Sequence, residues 1–258
     1  MGLLKVQEIN AGYDRNLVLK DIGFSMERGT LLGLLGLNGA GKTTLLKVIG
    51  GLLSPVKGHV FVEDKDIYTY KEKERAKRIS FMPQRHSIVY DTEVLDVVLM
   101  GINPYLGVFD SPTSLHKEKA YEALEDVGME AKYKSNFLHL SEGQRQLAVI
   151  ARSLLQDSDI MLFDEPDSTL DFNNSHMVLS KIREIVKAKG KSGIITLHDP
   201  NMALSYCDTI IVLKDKRIYE HFNVENIDKT FVEDVFSKIY EDIETVHYKN
   251  QFFIMRRP

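Results

Sequence analysis

The octapeptide Gly36-Leu-Asn-Gly-Ala-Gly-Lys42-Thr43 constrains this chain more than any other stretch of it. It matches G-x-x-x-x-G-K-[ST], follows the unbroken apolar run Thr30–Leu35 and opens a helical pattern, the context in which such a loop cradles a polyphosphate. The residue types carry the chemistry. Gly36, Gly39 and Gly41 let the backbone turn so that its N–H groups face phosphate without interference from a Cβ. The helix start adds partial positive charge. Lys42 offers an ammonium to the β- and γ-phosphates, and the Thr43 hydroxyl is a ligand for Mg²⁺. A glycine turn before an ordinary helix is the plainer account, but a chance match in a chain this long is expected about once in a hundred. Nucleotide binding is the better reading.

The rest of the chain fits an α/β fold. Leu4–Ile9 and Leu17–Met26 partly alternate, and Gly58–Glu63 is a short β-rich segment. Asp159–Phe163, Gly193–Leu197 and Thr209–Leu213 are apolar runs with β-branched residues, separated by helical patterns such as Asn173–Ala188. Buried strands alternating with helices indicate a mainly parallel sheet covered on both faces. The middle differs: Thr92–Met100, His116–Val127 and Glu142–Leu155 read as helices broken by Pro104, Pro112 and Gly128. It is expected to be a helical subdomain inserted into the α/β core.

Composition excludes several function classes. Lys and Arg number 33 against 37 Asp and Glu, a net charge of −4, which argues against a general nucleic-acid binder. The single Cys207 forms no intrachain disulfide, so a reducing, cytoplasmic setting is the default. The longest uncharged runs, Gly29–Gly41 and Val97–Phe109, reach 13 residues, too short to span a bilayer. Any contact with a membrane is therefore expected to go through a partner.

Further candidates follow along the chain. In Ile160-Met-Leu-Phe-Asp164-Glu165 an apolar strand ends in two carboxylates, at the edge where α/β sheets place ligands. Asp164 suits a Mg²⁺ contact and Glu165 a general base that activates water. In Leu140-Ser141-Glu142-Gly143-Gln144, Ser141 and Gln144 have the spacing of a capping box. That box leaves Gly143 unexplained, since glycine costs about 1 kcal/mol in a helix; close approach of an anion to this helix start would account for it. Gln84 in Phe-Met-Pro-Gln is either a loop amide or a sensor of Mg²⁺ and water. His198, after the strand Gly193–Leu197, is either structural or a group at the ligand edge. Tyr13 is either a core aromatic or a face for adenine. Asp171 in Ser168-Thr-Leu-Asp171 caps the next helix on the plainer reading.

The order Tyr13, Gly36–Thr43, Gln84, Leu140–Gln144, Asp164-Glu165, Ser168–Asp171, His198 closely resembles the nucleotide-binding subunit of ABC (ATP-binding cassette) transporters. The A-loop aromatic, Walker A, Q-loop, LSGGQ signature, Walker B, D-loop and H-loop of that family fall on those positions in turn, across about Val6 to Leu213. Two departures are visible: Glu142 stands for the first Gly of the signature, and Asp167 where the family usually has Thr. Val97-Val-Leu-Met-Gly101-Ile-Asn-Pro104-Tyr-Leu-Gly107, with Ala123-Leu-Glu-Asp-Val-Gly128, also looks like the helical subdomain of importers for iron–siderophore, haem and cobalamin, a group that includes molybdate systems. That subgroup usually has Arg where this chain has Ile102.

The resemblance implies a P-loop core with an N-terminal antiparallel β-subdomain over residues 1–86 and 157–220, a helical subdomain over 87–156 and a C-terminal extension over 221–258, all one domain. It implies an ATPase, with ATP and Mg²⁺ as ligands. Tyr13, Gly36, Leu37, Asn38, Gly39, Ala40, Gly41, Lys42, Thr43 and Thr44 would hold the nucleotide, and Ser141, Gly143, Gln144 and Asp171 would complete the site of a partner copy. Thr43, Gln84 and Asp164 would surround Mg²⁺; Glu165, His198 and Gln84 would serve hydrolysis. The implied partners are a second copy in a head-to-tail pair, membrane permease subunits and, indirectly, an extracytoplasmic solute-binding protein, with no nucleic acid. The implied location is the cytoplasmic face of the membrane, through the permease. The rival readings are a non-transport member of the family, such as an iron–sulfur assembly ATPase, and a regulatory module that binds nucleotide without turnover. Glu165 and His198 argue against the latter. Arg85–Asp91, with Ile88, Val89 and Tyr90, is expected to be the segment that docks the permease.

Overall fold

The computed structural model describes residues 2–14, 16–84, 91–249 and 251–257. In chain order the strands and helices begin with β1 (Leu4–Tyr13), β2 (Asn16–Met26), β3 (Leu31–Leu35), α1 (Lys42–Ile49), β4 (Lys57–Val62) and β5 (Lys65–Asp66). Next come α2 (Glu72–Ala76), β6 (Ile79–Met82), α3 (Val94–Leu99), α4 (Ser114–Asp126), α5 (Glu142–Leu155), β7 (Ile160–Phe163) and α6 (Phe172–Ala188). The chain continues through β8 (Ser192–Thr196), α7 (Pro200–Tyr206), β9 (Thr209–Lys214), β10 (Arg217–Asn223), α8 (Lys229–Ser237), β11 (Ile243–Tyr248) and β12 (Gln251–Arg256). The chain divides into two units, Met1–Tyr68 with Ser192–Pro258, and Thr69–Lys191.

In the first unit, β1 and β2 form an antiparallel hairpin from Leu4↔Met26 to Tyr13↔Asn16, and β4 adds antiparallel to β1, with β5 beyond it. Leu4, Val6 and Ile9 are buried on β1, the one-sided pattern of a sheet with one wet face. Separately, β8 and β9 flank β3 in parallel, and β10 closes the β9 edge antiparallel. Every residue of β3 and of β8 is buried, as strands covered on both faces require. β10 alternates exposed and half-buried positions, so its sequence lacks the apolar run that marks the inner strands. Neither β10 nor the β11–β12 hairpin is anticipated from the sequence.

In the second unit, β6 and β7 pair in parallel from Ile79↔Ile160 to Met82↔Phe163. β6 is also unanticipated: four residues before Pro83 are too few to show a period. The three helices α3, α4 and α5 pack on one another, as expected of the middle segment. Helix α5 begins and ends at the expected residues. Gly128, at φ +72°, follows α4 in the left-handed conformation that ends helices. The pattern expected as helix over Thr92–Met100 starts at Val94 and passes into a 3₁₀ stretch, Met100–Tyr105, that contains Pro104. Ile102 is buried in this stretch, so an apolar side chain suits the position. Among the described residues, no helix is long and apolar enough to cross a membrane. Cys207 is buried and forms no disulfide.

Candidate functional site

Parallel pairing decides which loops share an edge. In the first unit, the β3–β8 register sets Leu34 opposite Thr196. The glycine loop leaves β3 and His198 leaves β8 at the same C-terminal edge, the edge where open α/β sheets bind ligands. Gly36 has φ +152°, and a Cβ there would sit 2.6 Å from the carbonyl oxygen of Leu213. Gly41, at φ +101°, is the N-cap of α1, and its Cβ would sit 2.8 Å from Leu19 Cδ2. Both positions exclude a side chain on two counts, conformation and space.

The cap residue has consequences for charge. Gly41 supplies no side-chain cap, and α1 has no acidic residue in its first turn. With no side-chain cap and no acidic neighbour, the positive end of the helix dipole favours an anion there. Lys42 is only 5% exposed, and its Nζ donates to the carbonyl of Gly36 at 2.8 Å and of Leu37 at 3.5 Å. The ammonium is held over the loop rather than extended into solvent. Thr43 is half-buried and Thr44 buried, whereas Leu37 and Asn38 are exposed. Tyr13 is 45% exposed at the end of the β1–β2 hairpin, whose Val18 and Leu19 abut Gly41. It is a surface aromatic rather than a core one.

Gly36→Ala is expected to strain the loop by about 1–3 kcal/mol from its backbone conformation alone. The clash with Leu213 adds to this. Nucleotide affinity and melting temperature should both fall; a variant unchanged in ATP titration and in thermal melting would show that the loop relaxes freely.

The second unit holds the carboxylates. The β6–β7 register places Met82 opposite Phe163, so Gln84 and Asp164-Glu165 emerge side by side. The Asp164 N–H donates to the Met82 carbonyl at 2.9 Å, and the Asp164 side chain is buried, at 4% exposure. Gln84 Nε2 donates to Glu165 Oε2 at 2.6 Å and to Ser168 Oγ at 3.3 Å. Glu165 lies at φ +47°, a left-handed conformation that costs a non-glycine residue about 1 kcal/mol or more. Such strain persists where surrounding structure holds the residue in place, and the Gln84 bond does so here.

The signature segment forms the expected capping box. Gln144 N–H donates to Ser141 Oγ at 3.3 Å, and Ser141 N–H to Gln144 Oε1 at 3.1 Å. Glu142 is paired with Arg145 at 3.2 Å, which places a cation beside the carboxylate that replaces glycine. Asp171 caps α6 as expected, accepting from Asn174 N–H at 2.9 Å. The sequence did not suggest the neighbour that requires Gly143. A Cβ there would lie 2.9 Å from Asn174 Oδ1, and Asn174 Nδ2 donates to Asp171 Oδ2 at 2.9 Å. The Asn174 amide thus occupies part of the space that a side chain would take at Gly143. Residues 85–90, including Ile88, Val89 and Tyr90, lie outside the described residues.

A family model described as ABC transporter matches residues 19–168. A Helicobacter pylori protein named "Probable iron chelatin transport ATP-binding protein" is 35% identical over 218 residues, covering 84% of this chain and 86% of its own. A solved metal-chelate type ABC transporter in an inward-facing conformation matches with a TM-score of 0.83 at 28% identity, over 98% of this chain and 96% of that one. A dimeric ATP-binding cassette in a post-hydrolysis state, bound to ADP and Pi, matches with a TM-score of 0.75 at 25% identity, over 87% of this chain and 100% of that one. The match spans the glycine loop and the carboxylates alike, and the fold likeness reaches nearly every residue. The chain belongs to the ABC transporter family, as an ATP-binding subunit whose hydrolysis of ATP is coupled to transport.

Proposed function

We propose that this chain powers uptake of a metal chelate, of the iron–siderophore, haem or cobalamin kind or a similar complex such as molybdate, through a separate membrane permease. The cargo class rests on the names of the relatives, since this subunit does not touch the solute. The observation that carries turnover, as opposed to binding alone, is the Gln84–Glu165 hydrogen bond of 2.6 Å. Binding alone needs no carboxylate positioned at a strand edge, whereas hydrolysis uses one as a general base.

The roles follow from donor chemistry. Lys42, Thr43, Thr44 and the backbone of residues 36–41 bind the phosphates, Tyr13 stacks on adenine and His198 contacts the γ-phosphate. Glu165 takes a proton from the attacking water. Ser141, Gly143, Gln144 and Asp171 act on the nucleotide of a second copy in a head-to-tail pair. Each motif occurs once per chain, so two sites take two chains. Thr43, Gln84 and Asp164 offer a hydroxyl, an amide oxygen and a carboxylate, the hard oxygen donors that suit Mg²⁺. Among the described residues, no cluster of three or more His, Cys, Asp and Glu could hold a metal by itself. This suits an ion carried in by the polyphosphate, which it would neutralise when bound. Residues 1–86 and 157–220 serve as the ATP-handling core with its N-terminal β-subdomain, 87–156 as the helical subdomain and 221–258 as a C-terminal extension, with Arg85–Asp91 as the segment that docks the permease. The subunit sits at the cytoplasmic face of the membrane, and a solute-binding protein delivers cargo on the far side.

The test is reconstitution with the cognate permease in proteoliposomes. ATP-dependent accumulation of one of these metal complexes is expected, together with stimulation of ATP turnover. Turnover indifferent to the permease, with no uptake of any of them, would overturn the proposal.

A further inference from the structure

The residues from 229 onward have no part in the nucleotide chemistry just given, yet they grip the segment that carries His198. Tyr240 follows α8, and its hydroxyl donates to the backbone carbonyl of His198 at 3.2 Å. At the second residue of α7, Asn201 closes a two-way amide pair with β12. Its Nδ2 donates to the Ile254 carbonyl at 3.1 Å, and the Ile254 N–H donates back to its Oδ1 at 2.7 Å. The stretch His198–Asn201 is thus held at two points by parts of the chain far away in sequence.

The holding element is itself firm. Tyr240 N–H donates to the Phe236 carbonyl at 2.9 Å, and the two rings lie nearly parallel at 6.4 Å. Phe236 is fully buried. The adjoining residues also reach the phosphate loop: Lys238 and Ile239 line a cavity of about 230 Å³ with Leu37, Asn38, Ala40 and Leu213. Lys214 Nζ donates to the Lys238 carbonyl at 2.8 Å across the same wall. Burial, and then the charge of Asp199, pushes the Tyr240 hydroxyl above its ordinary pKa, so it remains a donor at neutral pH.

We infer that Tyr240 is a positioning residue for His198: its hydroxyl, backed by the Asn201–Ile254 pair, makes the C-terminal segment a strut that sets where the histidine stands at the phosphate edge. The inference rests on the reading of His198 as the γ-phosphate contact. The Tyr240 hydroxyl bonds the backbone carbonyl and does not itself occupy the imidazole, and the carbonyl's position sets where that imidazole can point. Because Lys238 and Ile239 border the glycine loop, the same strut spans both loops that leave β3 and β8.

The test is a double-mutant cycle read by binding, with a non-hydrolysable ATP analogue and ADP as the probes, both with Mg²⁺. His198→Ala is expected to lower the preference for the triphosphate over ADP. Tyr240→Phe removes one oxygen and keeps the ring packing, so it should lower that preference by about two- to ten-fold, the worth of one hydrogen bond. It should leave ADP affinity and melting temperature in place, and lower kcat more than it alters KM. In the His198→Ala background, Tyr240→Phe should have no further effect. Asn201→Ala, which breaks the second hold, should act in the same direction.

Three results would overturn the inference. A triphosphate preference at the wild-type level in Tyr240→Phe, or an equal loss with and without His198, would detach Tyr240 from the histidine. If His198→Ala itself leaves the preference unchanged, the γ-phosphate reading of His198 fails, and the strut fails with it.

Discussion

Glu165→Gln is expected to lower steady-state ATP turnover by about 10²- to 10⁴-fold, the usual contribution of a positioned general base. The geometry makes this substitution a clean one. Glu165 Oε2 accepts from Gln84 Nε2 at 2.6 Å, and a glutamine oxygen can accept in its place. The hydrogen bond that holds the strained backbone at φ +47° is thereby kept, so that conformation should persist in the variant. What disappears is the anionic oxygen able to take a proton from water. The phosphate cradle of Gly36–Thr44 is untouched, so Mg-ATP still binds. ATP that is bound but not consumed favours the closed pair of cassettes, because loss of the γ-phosphate is what removes the contact that distinguishes that state. Size exclusion with Mg-ATP should therefore show a dimer for Glu165→Gln. Turnover like that of the unmodified chain, or a variant that stays monomeric at high protein concentration, would remove Glu165 from the role of base.

Lys42→Ala acts one step earlier, on binding itself. The ammonium is buried and bonded to the Gly36 carbonyl at 2.8 Å, which places it over the concave side of the loop before any nucleotide arrives. Hydrogen bonds from a charged group contribute about 1.5–3 kcal/mol each, so affinity for ATP should fall by roughly ten- to a hundred-fold. The loop should keep its shape, since the packing of Gly36 on Leu213 and of Gly41 on Leu19 does not involve the Lys42 side chain. Titration with a fluorescent ATP analogue measures the loss. Unchanged affinity would reduce the glycine loop to a turn. The two variants also separate from each other: one binds without turnover, and the other binds poorly.

The parts of this protein that were legible in its sequence are those decided within a few residues of chain. The glycine loop declares itself because a buried strand, three glycines and a Lys-Thr pair stand in one short stretch. Helix α5 was readable at both ends, since Ser141 and Gln144 cap it across three residues and its apolar spacing stops at Leu155. Asp171 was readable as the cap of α6 for the same reason. Capping and helical periodicity act over one turn, so a linear string contains everything needed to predict them.

Tertiary structure decided what joins residues distant in the chain. β6 exists because it pairs with β7, and that pairing sets Gln84 beside Glu165 across 81 positions. Gly143 has a neighbour in space that its local sequence does not show, the Asn174 amide, because Asn174 belongs to another helix. Gly36 is required by a carbonyl on β9, and His198 is held by a tyrosine 42 residues further on. No local preference encodes these contacts. They arise from strand register and helix packing, which bring side chains together only after the chain has folded, and they decide which of the residues legible in sequence can act on one another.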